Sequence, residues 1–149
     1  ADPHAVSQLF KEDDASVILR AKIITEMKKP IPGLAVSVHS GGAQNDRNVS
    51  VVVAQAADEL LTMNDIHVSA VLNESDDGVS ISARSDGSVN VQTMMEELGG
   101  GGHQTVAGVQ IKGAKAEDLI PKIIEMAKEQ MKESDSDEGN SAEGRKEVG

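Results

Sequence analysis

The residues of this chain with the most chemical promise are Gly99, Gly100, Gly101, Gly102 and His103, together with Arg84 fifteen positions upstream. Glycines pack no side chain and lose much conformational entropy when ordered. A folded domain keeps four in a row where the backbone must take positive φ, or where a ligand must approach the main chain. Successive exposed N–H groups in such a loop can form an anion-binding concavity. A histidine after it adds a donor whose charge switches near neutral pH. Arginine offers a planar fork matched to phosphate. A plainer reading stays open beside this one: Gly99 caps a helix at C′ and the rest is a turn, while Arg84 forms a surface salt bridge with Asp86 or a hairpin acid.

Those residues need elements to hold them. Asn90 is a good N-cap for a short helix at 91–98 with Val91, Met94, Met95 and Leu98 on one face. Eight residues span about 12 Å, so Arg84 and His103 can flank one cleft. Upstream, Ile66–Leu72 and Val79–Arg84 alternate as an antiparallel hairpin around an acidic turn, Asn73–Gly78. Val106–Ile111 reads as a further strand, and a last helix runs from about 116 to 132, with Pro121 awkward unless the helix starts later. Val49, Val52, Val53, Ala56, Ala57, Leu60 and Leu61 make one helical stripe, despite their β-branched start. Leu34–Val38 is a strand running into a polar, glycine-containing loop, His39–Arg47.

Before residue 33 the pattern reads as a helical linker segment: a turn or two within 1–12, then a helix at 14–28 ending in Lys28-Lys29 and stopped by Pro30–Gly33. Residues 33–132 form the domain. The Ser/Asp/Glu-rich segment 133–149, with only Ala142 and Val148 as apolar residues, reads as a disordered acidic tail. The fold class is α/β, a small mixed β-sheet packed with helices.

Composition removes several function classes. The net charge is −11, of which −7 falls on residues 1–132, against a broad phosphate-tracking surface. One Phe and no Tyr or Trp exclude stacking platforms for single-stranded bases, apart from what Phe10 offers. Without cysteine there are no disulfides or thiolate metal sites. Histidines 4, 39, 67 and 103 lack metal-ligand spacing, and His67 reads as a packed or surface imidazole in a strand. No Walker loop or nucleophile elbow appears. No apolar stretch reaches membrane-spanning length, and the opening Ala-Asp-Pro reads as a piece cut from a larger protein.

The segments Ile81–Ser85, Gly87–Gln92 and Met95–His103, with Ala54–Leu61 and the opening Ala1-Asp2-Pro3, resemble the DHH-associated C-terminal domain of DHH-family phosphoesterases. That superfamily holds RecJ-type exonucleases, nanoRNases and cyclic-di-AMP phosphodiesterases, and the chain is most similar to the GdpP-type members of the last group. The resemblance implies that a preceding DHH domain carries a pair of Mn²⁺ ions which activate water. The C-terminal domain then clamps a cyclic dinucleotide or short oligonucleotide across the cleft. By motif match the clamp is Gly99–Gly102, His103 and Arg84; Ser82 and Asn90 fit a structural role equally. No Asp-His-His occurs in the chain, so the metal half is missing, and the fragment is expected to carry no catalytic residue, metal or cofactor and to be inactive alone. Its implied partners are the nucleotide, the DHH domain of the same chain and, where the domain dimerises, a second copy. The implied setting is cytoplasmic, with a parent that can be membrane-anchored. The alternatives are a RecJ-like or nanoRNase role on short single strands, a stand-alone nucleotide-binding module, or a structural domain.

Overall fold

The computed structural model describes residues 13–41 and 46–148, with side chains through 132. The helical turns expected within 1–12 lie outside the described residues. Helix α1 spans Asp14–Thr25, capped by Asp13 accepting from the Ser16 amide at 2.8 Å. It ends before the Lys-Lys pair. Residues Lys28–Ile31, read from sequence as the end of that helix and the start of its Pro30–Gly33 stop, form strand β1, which pairs antiparallel with β2, Leu34–Ser40. The physical reason is position: β1 lies at the sheet's edge, where Lys and Pro are tolerated because one side of the strand forms no ladder.

Helix α2 (Arg47–Leu60) crosses from β2 to β3 (Val68–Ser75), and the two strands are parallel. The helical period identified in the sequence buries Val52, Val53, Ala56, Ala57 and Leu60. Strand β4 (Gly78–Ser85) returns antiparallel to β3 with Ser75 opposite Gly78, so the turn is the two residues Asp76-Asp77 rather than six. Helix α3 (Val91–Glu97), the short β5 (Gly101–Gly102) and β6 (Val106–Lys112) follow. The sheet is mixed, in the order β1-β2-β3-β4-β6-β5.

Helix α4 runs Ala116–Val148, its first amide bonded to the Glu74 carboxylate at 2.6 Å. That cap lets the helix start at Ala116 with Pro121 inside it, at the cost of one backbone hydrogen bond. The helix continues beyond 132 through the segment read as a disordered tail.

Strand alternation sorts the side chains into two layers. On one face Leu34, Val36, Val68, Ala70, Leu72, Val79, Ile81, Ala83, Ala107 and Val109 pack with Met94 and Met95 of α3 and with Leu119, Ile123 and Ala127 of α4. On the other, Ala35 and Val71 pack with Ile23 of α1 and the buried stripe of α2. Buried serines in this second layer are tied to helix carbonyls: Ser37 Oγ donates to Ile23 O at 2.6 Å and Ser69 Oγ to Ala57 O at 2.7 Å. The β2–β3 half of this face is buried beneath α1 and α2, but Gln110 and Val106 on β6 are exposed.

Candidate functional site

The glycine run resolves into distinct jobs. The Gly99 amide donates to Glu96 O at 3.0 Å and the Gly100 amide to Met95 O at 2.8 Å. That is the paired pattern of a Schellman cap, with Gly99 at φ +96°. Gly100 is required for another reason: a Cβ there would lie 2.2 Å from Gly108 O and 2.5 Å from Val109 Cβ. At Gly102 a Cβ would lie 2.5 Å from Val106 O. Gly101 alone in the run has negative or extended φ and nothing within 4 Å of an added Cβ.

The loop's amides are largely committed inside the protein. The His103 amide donates to Val106 O at 2.6 Å. Continuing the antiparallel ladder, Gly101 faces Gly108 and Gly102 faces Ala107. Hydrogen-bonded and non-hydrogen-bonded pairs alternate in such a ladder. With His103 bonded to Val106, the Gly102 pair is the open kind, and its N–H points out from the sheet's edge. The amide cradle expected from the sequence thus narrows to Gly102.

The registers also place the two charged groups. Arg84 stands opposite Val106 in the β4–β6 pairing, and His103 stands opposite Val106 from the other side. Opposed residues share a face, so Arg84, Val106 and His103 form one row across the sheet, spanning two strand spacings or about 10 Å. His103 is exposed, and Val106 is 45% exposed between them. The structure therefore brings Arg84 and His103 to one end of one sheet face, exposed at His103 and partly covered by α2 at Arg84.

Arg84 has a partner the sequence did not reveal. Its Nε donates to Asp58 Oδ1 of α2 at 2.8 Å and its Nη1 to Ala83 O at 3.0 Å. The acid is neither Asp86 nor a hairpin residue, the alternatives read from sequence; Asp58 comes from the turn of α2 that packs over β4. The arginine side chain is 12% exposed and Asp58 is 64% exposed. Two of the five guanidinium donors are spent, which fixes the fork's orientation.

Asp86 is engaged elsewhere, with His67 Nδ1 at 2.6 Å and the Ser88 hydroxyl at 2.6 Å. Partial burial pushes the Asp86 carboxyl up, but the hydrogen bonds from Ser88 and His67 outweigh this and hold its pKa below the usual carboxylate value. His67 is accordingly a surface histidine, hydrogen-bonded to Asp86 immediately before β3. Asn90 is the N-cap of α3, accepting from the Thr93 amide at 3.1 Å, so its role is structural.

Behind the Arg84 row a groove of about 480 Å³ opens between α2 and the β4–β6 strands, lined by Ser50, Val53, Ser80, Ser82, Gly100 and Gln110, among others. The sequence displayed the serine alternation along β4 but not which strands and helix would flank it. Among the described residues no group of three or more His, Asp or Glu side chains converges to hold a metal ion, so the donor set does not fit a metal centre. No helix is long and apolar enough to cross a membrane among those residues.

Comparison with known proteins shows the family of the chain. Residues 34–133 match the DHHA1 domain family. The chain is 43% identical over 112 residues to the cyclic-di-AMP phosphodiesterase GdpP of Geobacillus thermodenitrificans, covering 74% of this chain and 17% of that protein. It is 37% identical over 125 residues to the cyclic-di-AMP phosphodiesterase PdeA of Listeria monocytogenes, covering 83% and 19%. Against the bifunctional oligoribonuclease and PAP phosphatase NrnA of Thermus thermophilus the identity is 28%, covering 76% and 34%. An exopolyphosphatase-related protein from Bacteroides fragilis shares the fold at a TM-score of 0.68 and 16% identity, covering 84% of this chain and 37% of that one. The chain spans about a fifth of the length of the cyclic-di-AMP phosphodiesterases it matches. It belongs to the DHHA1 family, the domain found in these DHH-type phosphodiesterases.

Proposed function

We propose that this chain is the substrate-binding part of a phosphodiesterase acting on cyclic-di-AMP or a short linear dinucleotide. The observation that carries the reading is the row that sets Arg84 and His103 at one end of one sheet face, with the outward amide of Gly102 at its edge. The similarity to two cyclic-di-AMP phosphodiesterases supports the ligand class. In this reading Arg84, held by Asp58, presents its remaining N–H groups to a phosphate oxygen. His103 donates from the far end of the row, and Gly101 leaves the floor low enough for close approach. These residues bind and orient; a DHH domain holding Mn²⁺ would supply the hydrolytic chemistry.

A short single-stranded oligonucleotide is the second reading, favoured by the likeness to an oligoribonuclease. The acidic net charge restricts it to ligands of a few nucleotides. Calorimetric titration with cyclic-di-AMP and linear pApA tests the clamp. Arg84→Ala and His103→Ala are each expected to weaken binding tenfold or more, about 1.4 kcal/mol. Wild-type affinity retained in both variants refutes it.

A further inference from the structure

The groove beyond the Arg84 row carries chemistry that phosphate recognition leaves unused. Its lining contains no charged side chain. The side chains of Ser50, Ser80, Ser82 and Gln110 make no hydrogen bond among the described residues. Next to Ser80 in the β3–β4 register stands Asn73, on the same face. Asn73 is 0% exposed, and both atoms of its amide lack a partner. A buried polar group left unmatched costs about 1–3 kcal/mol, and every other polar residue buried in this sheet layer is tied to a helix carbonyl. The exception stands directly beside Ser80, which lines the groove.

The same registers align Asn73, Ser80 and Gln110 as a second row across the sheet, parallel to the row of Arg84 and His103. Two amides and a hydroxyl supply donors and acceptors without net charge. That set suits a neutral, planar, polar edge and carries no charge to attract an anion. Arg84 lies four residue steps from Ser80 along β4, about 13 Å at strand rise. Between the rows, Gly101 and Gly108 leave the floor without side chains.

We propose that the groove holds one nucleoside monophosphate lengthwise along β4 and β6. Its phosphate lies on the Arg84–His103 row and its heterocyclic base on the Ser80–Gln110 row. Ser80 and Gln110 are the residues that read the base edge, and Asn73 completes the polar wall behind Ser80. The sugar passes over Gly101 and Gly108 beside the Ser82 hydroxyl. This inference rests on the phosphate clamp proposed above.

The test compares a ligand with a base and one without. The 149-residue chain and its Ser80→Ala/Gln110→Ala variant are titrated with pApA and with ribose 5-phosphate, followed by backbone amide chemical shifts. Neither side chain holds the fold together, so the variant's thermal midpoint stays near the wild type's. The variant is expected to bind pApA at least tenfold more weakly and ribose 5-phosphate within twofold of wild type. Unchanged pApA affinity overturns the inference, as does an equal loss for both ligands. A wild-type chain that binds neither ligand removes the phosphate clamp itself, and this inference with it.

Discussion

Substituting alanine at Gly100 and at Gly101 separates what the glycine run does for the fold from what it does for a ligand. At Gly100 the new methyl would sit 2.2 Å from Gly108 O and 2.5 Å from Val109 Cβ. Both belong to β6, paired on its other side with β4, so neither can retreat without disturbing the ladder. Overpacking of this kind costs about 1–3 kcal/mol, and the upper end applies because backbone is what must move. For a domain of about 100 residues each kcal/mol lowers Tm by about 4–8 °C, so Gly100→Ala is expected to melt at least 10 °C below wild type. At Gly101 nothing lies within 4 Å and φ is not positive. Alanine there restricts the unfolded chain and is worth about 0.4–1 kcal/mol of stabilisation, so Tm holds or rises. The same methyl projects onto the floor between the two rows, and it is expected to weaken pApA binding tenfold or more. Thermal melts by circular dichroism and a pApA titration read both quantities. A Gly101→Ala chain that loses as much stability as Gly100→Ala, or binds pApA as wild type does, refutes the assignment of Gly101 to the ligand.

Three further outcomes follow from the geometry. Asp58→Asn keeps an acceptor for Arg84 Nε but removes a negative charge beside the phosphate position. A unit charge about 7 Å away in water contributes about 0.6 kcal/mol, so dinucleotide affinity measured at low salt is expected to rise about threefold. The folded-state pKa of Asp86 lies below its ordinary 3.8. Its contribution to stability is therefore present above about pH 4 and is lost as pH falls through the folded value; urea midpoints measured from pH 6 to pH 2.5 should decline less steeply in Asp86→Asn. Ile123→Ala, at a fully buried position where α4 meets the sheet, should cost about 2–5 kcal/mol in urea unfolding.

The elements around the site were legible because their signals are local. The seven-residue stripe of α2, the Asn90 cap and the glycine stop after Leu98 need only neighbours in the chain, and the structure contains all three. Strand β1 was not legible, since Lys-Lys-Pro-Ile has no alternation and becomes a strand only by folding back on β2. The partner of Arg84 was missed because Asp58 is 26 positions away in the chain and reaches it only through helix-on-sheet packing. The groove was hidden for the same reason. Ser80 and Ser82 announce a polar face, but Asn73, Gly108 and Gln110 join it through register alone. The glycine run itself was half legible: its capping role follows from sequence, whereas the internal commitment of its amides follows from pairing with β6.

The most direct measurement of the central claim is a map of where a dinucleotide touches the chain. Adding pApA to isotopically labelled protein and following each backbone amide, with the Arg84 Nε–H, is expected to shift Ser82, Arg84, Gly101, Gly102 and His103 first and furthest. The opposite end of the sheet supplies the contrast, where Ser40, Gly41, Glu74 and Gly113 line a separate pocket. Shifts concentrated at that pocket, or an unchanged spectrum at millimolar pApA, would contradict the account.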